Sequence, residues 1–212
     1  MIKFLEIDGF GINILSLTFV VTLISTAFQA IAFIKQNKKI LKARSSKSVS
    51  FSFYSFFGFS ALAITVYGLH NQSLALSING LLGFLSLAIA VNIFKFRKLT
   101  EKEISTGLFS TIAVPLMIIA PEKDYVFLGL GLIIGVTLMI QILEIWKNKS
   151  SGAYHSGQIF VSITSCSFWL IYSIIVIIYP MIITNSLFLF LWILLLFSYL
   201  KFRNVEIIKS RN

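Results

Sequence analysis

The stretch 150–200, SSGAYHSGQIFVSITSCSFWLIYSIIVIIYPMIITNSLFLFLWILLLFSYL, runs for 51 residues without one Asp, Glu, Lys or Arg. A helix crossing the hydrocarbon core of a bilayer needs about 20 apolar residues, so this run holds two crossings. Working outward, 48–94 is a second run of double length, 47 residues, and 9–34, 104–121 and 125–143 are single runs of 26, 18 and 19. The total is seven spans. Lipid offers the backbone no hydrogen-bond partner, so spans are helices or strands of a closed barrel. Barrel strands alternate apolar and polar positions over about ten residues, whereas Leu189–Leu196 is unbroken apolar sequence. The fold class read here is an all-α membrane protein with seven transmembrane helices.

Composition agrees. Of 212 residues, 57% are apolar and 12% charged, and mean hydropathy is +0.90. A soluble chain carries about a quarter of its residues as charges. The run 9–34 exceeds the apolar core of a signal peptide and lacks a small-residue cleavage site, so it is read as a true span. Cys166 is the single cysteine, which excludes an internal disulfide and any multi-cysteine metal site.

The net charge of +10 is sorted by membrane face. Seven crossings put the N-terminus and the turns near 70–73, 121–124 and 176–182 on one side, with only Lys3 and Lys123. The segments 35–47, 95–103 and 144–149 and the C-terminal tail share the other side with the remaining 16 of 18 Lys and Arg. By the positive-inside rule the N-terminus is outside and the C-terminus cytoplasmic. The expectation is a multi-pass protein of the plasma or inner membrane with lipid as its surroundings and no nucleic-acid partner.

The chain also repeats itself. Lys95-Phe96-Arg97 and Lys201-Phe202-Arg203 are 106 positions apart, Asn79 and Asn185 also 106, Tyr67 and Tyr172 105, and Gln29 and Gln141 112. The excess of about six in the last pair is assigned to the loop 35–47. Such repeats pack as two similar units around an axis. Three crossings end on the opposite side, so a fourth span must carry the chain back before a second unit can run parallel to the first. The expected organisation is a three-helix repeat at 10–98, a linker helix at 104–121 carrying Pro115, a second three-helix repeat at 125–203 and a cytoplasmic tail at 204–212.

These residues resemble the SWEET sugar transporters and the wider PQ-loop (MtN3/saliva) proteins, whose parallel repeats share this layout. The likeness covers about residues 10–203. Trp169-Leu170-Ile171-Tyr172 followed by Asn185 is similar to the family's W-x-x-Y segment and its later Asn. Tyr67-Gly68, Ile78-Asn79-Gly80 and Lys47-Ser48-Val49 resemble its Y-G, I-N-G and K-S-V runs. The dipeptide naming the PQ-loop group reads Phe28-Gln29 and Ile140-Gln141, so the Gln is kept and the Pro lost.

The resemblance implies a substrate site at Asn79 and Asn185. An amide both donates and accepts hydrogen bonds, as a sugar hydroxyl does, and burying one in an apolar bundle requires a partner or a cavity. The other reading is that each Asn bonds a neighbouring helix. Trp169 offers a flat apolar face for a sugar ring and an indole N–H, and Ile64 takes the matching place in the first unit. Ser60, one turn before Ile64, and Ser162, Ser165 and Cys166 near Trp169 are further lining candidates. Trp192 carries less weight, and Trp146 is read as a belt residue. Gln29, Gln141, Tyr67 and Tyr172 are candidate gate or hinge residues, the two tyrosines at the outer interface with wet hydroxyls. The alternative for the glutamines is helix capping or helix–helix bonding.

All eight carboxylates lie outside the spans or at their edges, whereas proton-coupled carriers keep a titratable relay at membrane depth. No clustered carboxylates, metal-ligand spacing or activated nucleophile suggests an enzyme. No catalytic residue, cofactor or metal is expected. The expectation is facilitated, alternating-access diffusion of a mono- or disaccharide. A PQ-loop-type amino-acid carrier and a non-transporting receptor of the same fold stay open as alternatives. A homo-oligomer is compatible with such a chain.

Overall fold

The structure, a computed structural model, describes residues 4–209, all helix and connection with no strand among them. Among these described residues, seven helices are long and apolar enough to cross a membrane: Ile14–Ala43, Phe51–His70, Leu74–Phe96, Glu101–Ile119, Lys123–Asn148, Ser156–Val176 and Tyr179–Arg203. They are called spans one to seven. A short helix, Leu5–Asp8, precedes the first. The last helix runs on through Lys209, so most of the segment expected as a tail continues span seven.

Polar side chains set where helices begin. Asn13, Ser50 and Ser73 each accept a backbone N–H three residues on, the usual role of an N-cap. Thr100 and Glu103 form a capping box at the start of span four. Glu103 also pairs with Arg97 at 2.5 Å, fastening the end of span three to the start of span four.

Spans three and four are interrupted. Span four breaks between Ser110 and Ala113. Pro115 lacks the N–H that would bond the carbonyl of Thr111 and crowds that turn. Span three breaks at Leu81. There Gly80 and Gly83 press onto span two: a Cβ on Gly80 would sit 2.6 Å from the Ala61 carbonyl, and one on Gly83 would strike the Gly58 carbonyl. Span five, which carries Gly129, Gly131 and Gly135, is one unbroken helix. Gly131 and Gly135 instead admit span seven, whose Thr184 and Leu187 occupy the space of a Cβ.

Packing repeats as the sequence does. In the first half, span three lies against both span one and span two; in the second, span seven lies against both span five and span six. Between the halves, span one packs on span six and span two on span five, as a two-fold arrangement of parallel units requires. Span four lies mainly on span two. Backbone detail repeats as well. Arg44 and Lys149 end spans one and five in the left-handed conformation, and Gln72 and Ile177 turn the chain after spans two and six in the same way. Each pair is 105 residues apart.

That constant offset corrects the Gln29–Gln141 pairing. The partner of Gln141 is Gln36, 105 residues earlier. Gln36 Nε2 donates to the Ala153 carbonyl at 3.1 Å, and its Oε1 accepts the His155 N–H at 2.6 Å. Gln141 Nε2 donates to the Ser48 carbonyl at 2.8 Å, and its Oε1 accepts the Ser50 N–H at 2.7 Å. Each Gln holds the loop that enters a helix of the other half. The loop 35–47 therefore contains no six-residue insertion; most of it is the last turns of span one. The Lys35, Lys38 and Lys42 side chains there are exposed while the helix runs on, and Lys39 Nζ donates to the Tyr154 carbonyl at 2.5 Å.

Large apolar side chains such as Phe84, Val91, Phe94, Phe190 and Phe197 are exposed, while Gln36, Gln141, Gln158 and many Ser and Thr are buried.

Candidate functional site

Between the two units lies a cavity of about 80 Å³, lined from spans one, two, three, five, six and seven. Its lining obeys the repeat: Phe57 faces Ser162, Ala61 Cys166, Ile64 Trp169 and Asn79 Asn185 at equivalent places in the two units. Of the predicted substrate residues, Asn79, Asn185, Trp169 and Ile64 all line it, and so does Gln29. Ser60 does not; it is fully buried, with its hydroxyl unpartnered. Ser165 is also outside the lining, its hydroxyl 3.4 Å from that of Ser25 where spans one and six meet.

The two amides are held differently. Asn79 sits two residues before the break in span three, and its Oδ1 accepts from the Thr26 hydroxyl of span one at 3.2 Å. Asn185 lies in the continuous helix of span seven and donates to the Met181 carbonyl one turn back at 2.9 Å. In both cases part of the amide's capacity remains for another partner. Trp169 is 4% exposed, and its indole N–H has no acceptor. With no protein acceptor, this N–H is available to a ligand oxygen.

The sequence reading gave too little weight to Trp192 and overlooked Phe188 and Phe33. They extend the aromatic wall toward the basic end. The signal for two of them was present: Asn185, Phe188 and Trp192 follow the i, i+3, i+7 spacing of a single helix face. Trp146 donates its N–H to Ser198 Oγ at 2.9 Å and carries Lys201 over its ring at 4.2 Å.

Bonds between the two units flank the cavity at both ends. Toward the basic loops stand the Gln36 and Gln141 clamps, and Tyr54 donates to Gln158 Oε1 at 3.2 Å. At the opposite end, the tyrosine hydroxyls expected to be wet are not: Tyr67 and Tyr172 are fully buried. Tyr67 donates to Asp124 Oδ1 at 2.6 Å, and Tyr172 to Glu6 Oε1 at 2.6 Å. Glu6 also accepts from the Ser73 hydroxyl at 2.7 Å and from the Leu74 and Ala75 N–H groups at 3.0 and 3.3 Å. Burial pushes the Glu6 carboxyl up, but the bonds from Ser73, Tyr172 and Leu74 outweigh it and hold the group below the usual carboxylate range. Sequence alone could not pair these groups, because the contact joins residues 166 positions apart. Among the described residues no cluster of His, Cys, Asp and Glu could hold a metal ion.

No family model and no curated protein matches the sequence. The fold is similar to that of a eukaryotic SWEET transporter solved at 3.7 Å resolution, with a TM-score of 0.52 and 18% sequence identity, covering 88% of this chain and 98% of that one.

Proposed function

We propose that the protein is a passive membrane carrier for a small neutral sugar, a mono- or disaccharide, that opens to one face at a time. The observation carrying this reading is the cavity between two equivalent units, with Asn79 and Asn185 at matching positions beside the unpaired indole N–H of Trp169. Neutral donors and acceptors next to an aromatic face suit a polyol. None of the lining residues carries a charge, which disfavours an amino-acid zwitterion. The similarity in fold to a SWEET transporter supports the same reading.

The cavity's volume bears on mechanism. About 80 Å³ holds a few water molecules, whereas pockets for drug-sized ligands run to ~300–1,000 Å³. The units must part for a sugar to enter. Rigid three-helix units meeting along spans one–six and two–five can rock about those contacts, releasing the clamps at one end while those at the other persist. The basic end is assigned to the cytoplasm.

Uptake into proteoliposomes, using a panel of labelled sugars and amino acids, tests the substrate class. Uptake of one or more sugars is the expected result; uptake confined to amino acids overturns the assignment.

A further inference from the structure

Tyr67 and Tyr172 occupy equivalent positions, and each binds a carboxylate by an exchange that is reciprocal between the units. Tyr67, in the first unit, takes Asp124 from the first turn of span five, where the second unit begins. Tyr172, in the second unit, takes Glu6 from the segment just ahead of span one, where the first unit begins. Glu6 itself belongs firmly to the first unit. Its carboxylate receives Ser73 and the first N–H groups of span three, and the Leu5 N–H donates to the Gln72 carbonyl at 2.8 Å. The carboxylate's remaining bond reaches Tyr172, across the boundary between units. The Ser73 hydroxyl lies 2.9 Å from the same phenol.

Both tyrosines touch the cavity wall. The Tyr172 ring lies edge-on to Trp169 with centroids 5.5 Å apart, and the Tyr67 ring lies 4.4 Å from that of Phe127. Trp169 and Phe127 both line the cavity. A ligand that shifts Trp169 therefore bears directly on the phenol that Glu6 holds.

We propose that the segment Phe4–Asn13 is a working part of the gate at the end opposite the basic loops, with Glu6 as its latch on Tyr172. The segment is fastened to one unit, and its carboxylate grips the other, so opening that end breaks the Tyr172 bonds and leaves Glu6 seated on span three. The inference takes the moving units from the carrier reading and adds a residue lying outside every span.

Cys166 provides the test, since it is the chain's single cysteine, lines the cavity and is 6% exposed. An impermeant methanethiosulfonate, applied to sealed vesicles from the side of the Glu6 segment, reports how often that end opens. Wild type labels slowly. Tyr172→Phe and Glu6→Ala each raise the rate by roughly tenfold, the scale of one lost bond to a charged group. The double variant goes little further, because both changes break the same bond. Labelling from the basic side stays at the wild-type rate, and Cys166→Ser abolishes the signal. Wild-type rates for both single variants overturn the latch. Should Glu6→Ala lose its gel-filtration peak, Tyr172→Phe decides alone, since it removes one hydroxyl and leaves the carboxylate three partners. Labelling requires no substrate, so a chain that carries no sugar can still show the latch, and a chain without the latch can still carry sugar.

Discussion

At the scale of single residues, substitutions separate side chains proposed to contact a ligand from those that pack. Asn79→Ala or Asn185→Ala removes one amide and leaves a sugar hydroxyl unpaired, at a cost of about 1–3 kcal/mol, or roughly 5- to 150-fold in affinity. Trp169→Ala weakens binding by removing the ring face, and Ile64→Ala, at the equivalent place, much less. Isothermal titration on variants that keep a single gel-filtration peak checks the order. Glu6 adds a pH signature. Its folded pKa is depressed, so its stabilising contribution is complete above the unfolded carboxylate pKa and fades as pH falls through the lower folded value. The difference in Tm between wild type and Glu6→Gln stays constant from about pH 8 to 5 and closes below about pH 4. The Asn pair was legible because a repeat places equivalent residues at a constant offset. Glu6 and Asp124 were not, since nothing local in sequence points a carboxylate at a tyrosine on another helix.

At the scale of helices and loops, the two glutamine clamps make the sharpest case. Gln36 and Gln141 are both fully buried and make the same pair of bonds. Gln36→Ala and Gln141→Ala therefore cost similar stability, about 1–3 kcal/mol each, and lower Tm by several degrees. Gln29→Ala, on the cavity wall, costs far less; a thermal-shift series shows whether the 105-residue register is right. Gly83→Ala drives a methyl into the Gly58 carbonyl and loses about 1–3 kcal/mol, whereas Gly129→Ala, with nothing within 4 Å of an added Cβ, does not. Five uncharged runs, two of them double length, made the helices readable. Their ends were harder, because span one continues as helix through Lys35, Lys38, Lys39 and Lys42, where charge suggested a loop. That misreading placed Gln36 in a connection and put Gln29 in its role. Neither helix break was expected: Pro115 explains the one in span four once it is seen, and the one at Leu81 depends on how closely Gly80 and Gly83 meet span two, which only packing reveals.

At the scale of the whole molecule, two three-helix units flank an uncharged cavity and bond to each other at both ends. The charge sorting makes a topological statement: a cysteine introduced at Gln72 in a Cys166→Ser background reacts with an impermeant reagent from outside intact cells. Reaction only after permeabilisation reverses the orientation. The central claim is that the cavity carries sugar across the membrane passively, and counterflow in proteoliposomes tests it most directly. Vesicles preloaded with an unlabelled sugar that the protein binds should draw in the labelled form transiently, then equilibrate without net accumulation, with or without an imposed pH gradient. The Asn79→Ala/Asn185→Ala variant should abolish the transient. Binding of the sugar without counterflow, or uptake above equilibrium that a protonophore collapses, would contradict the account.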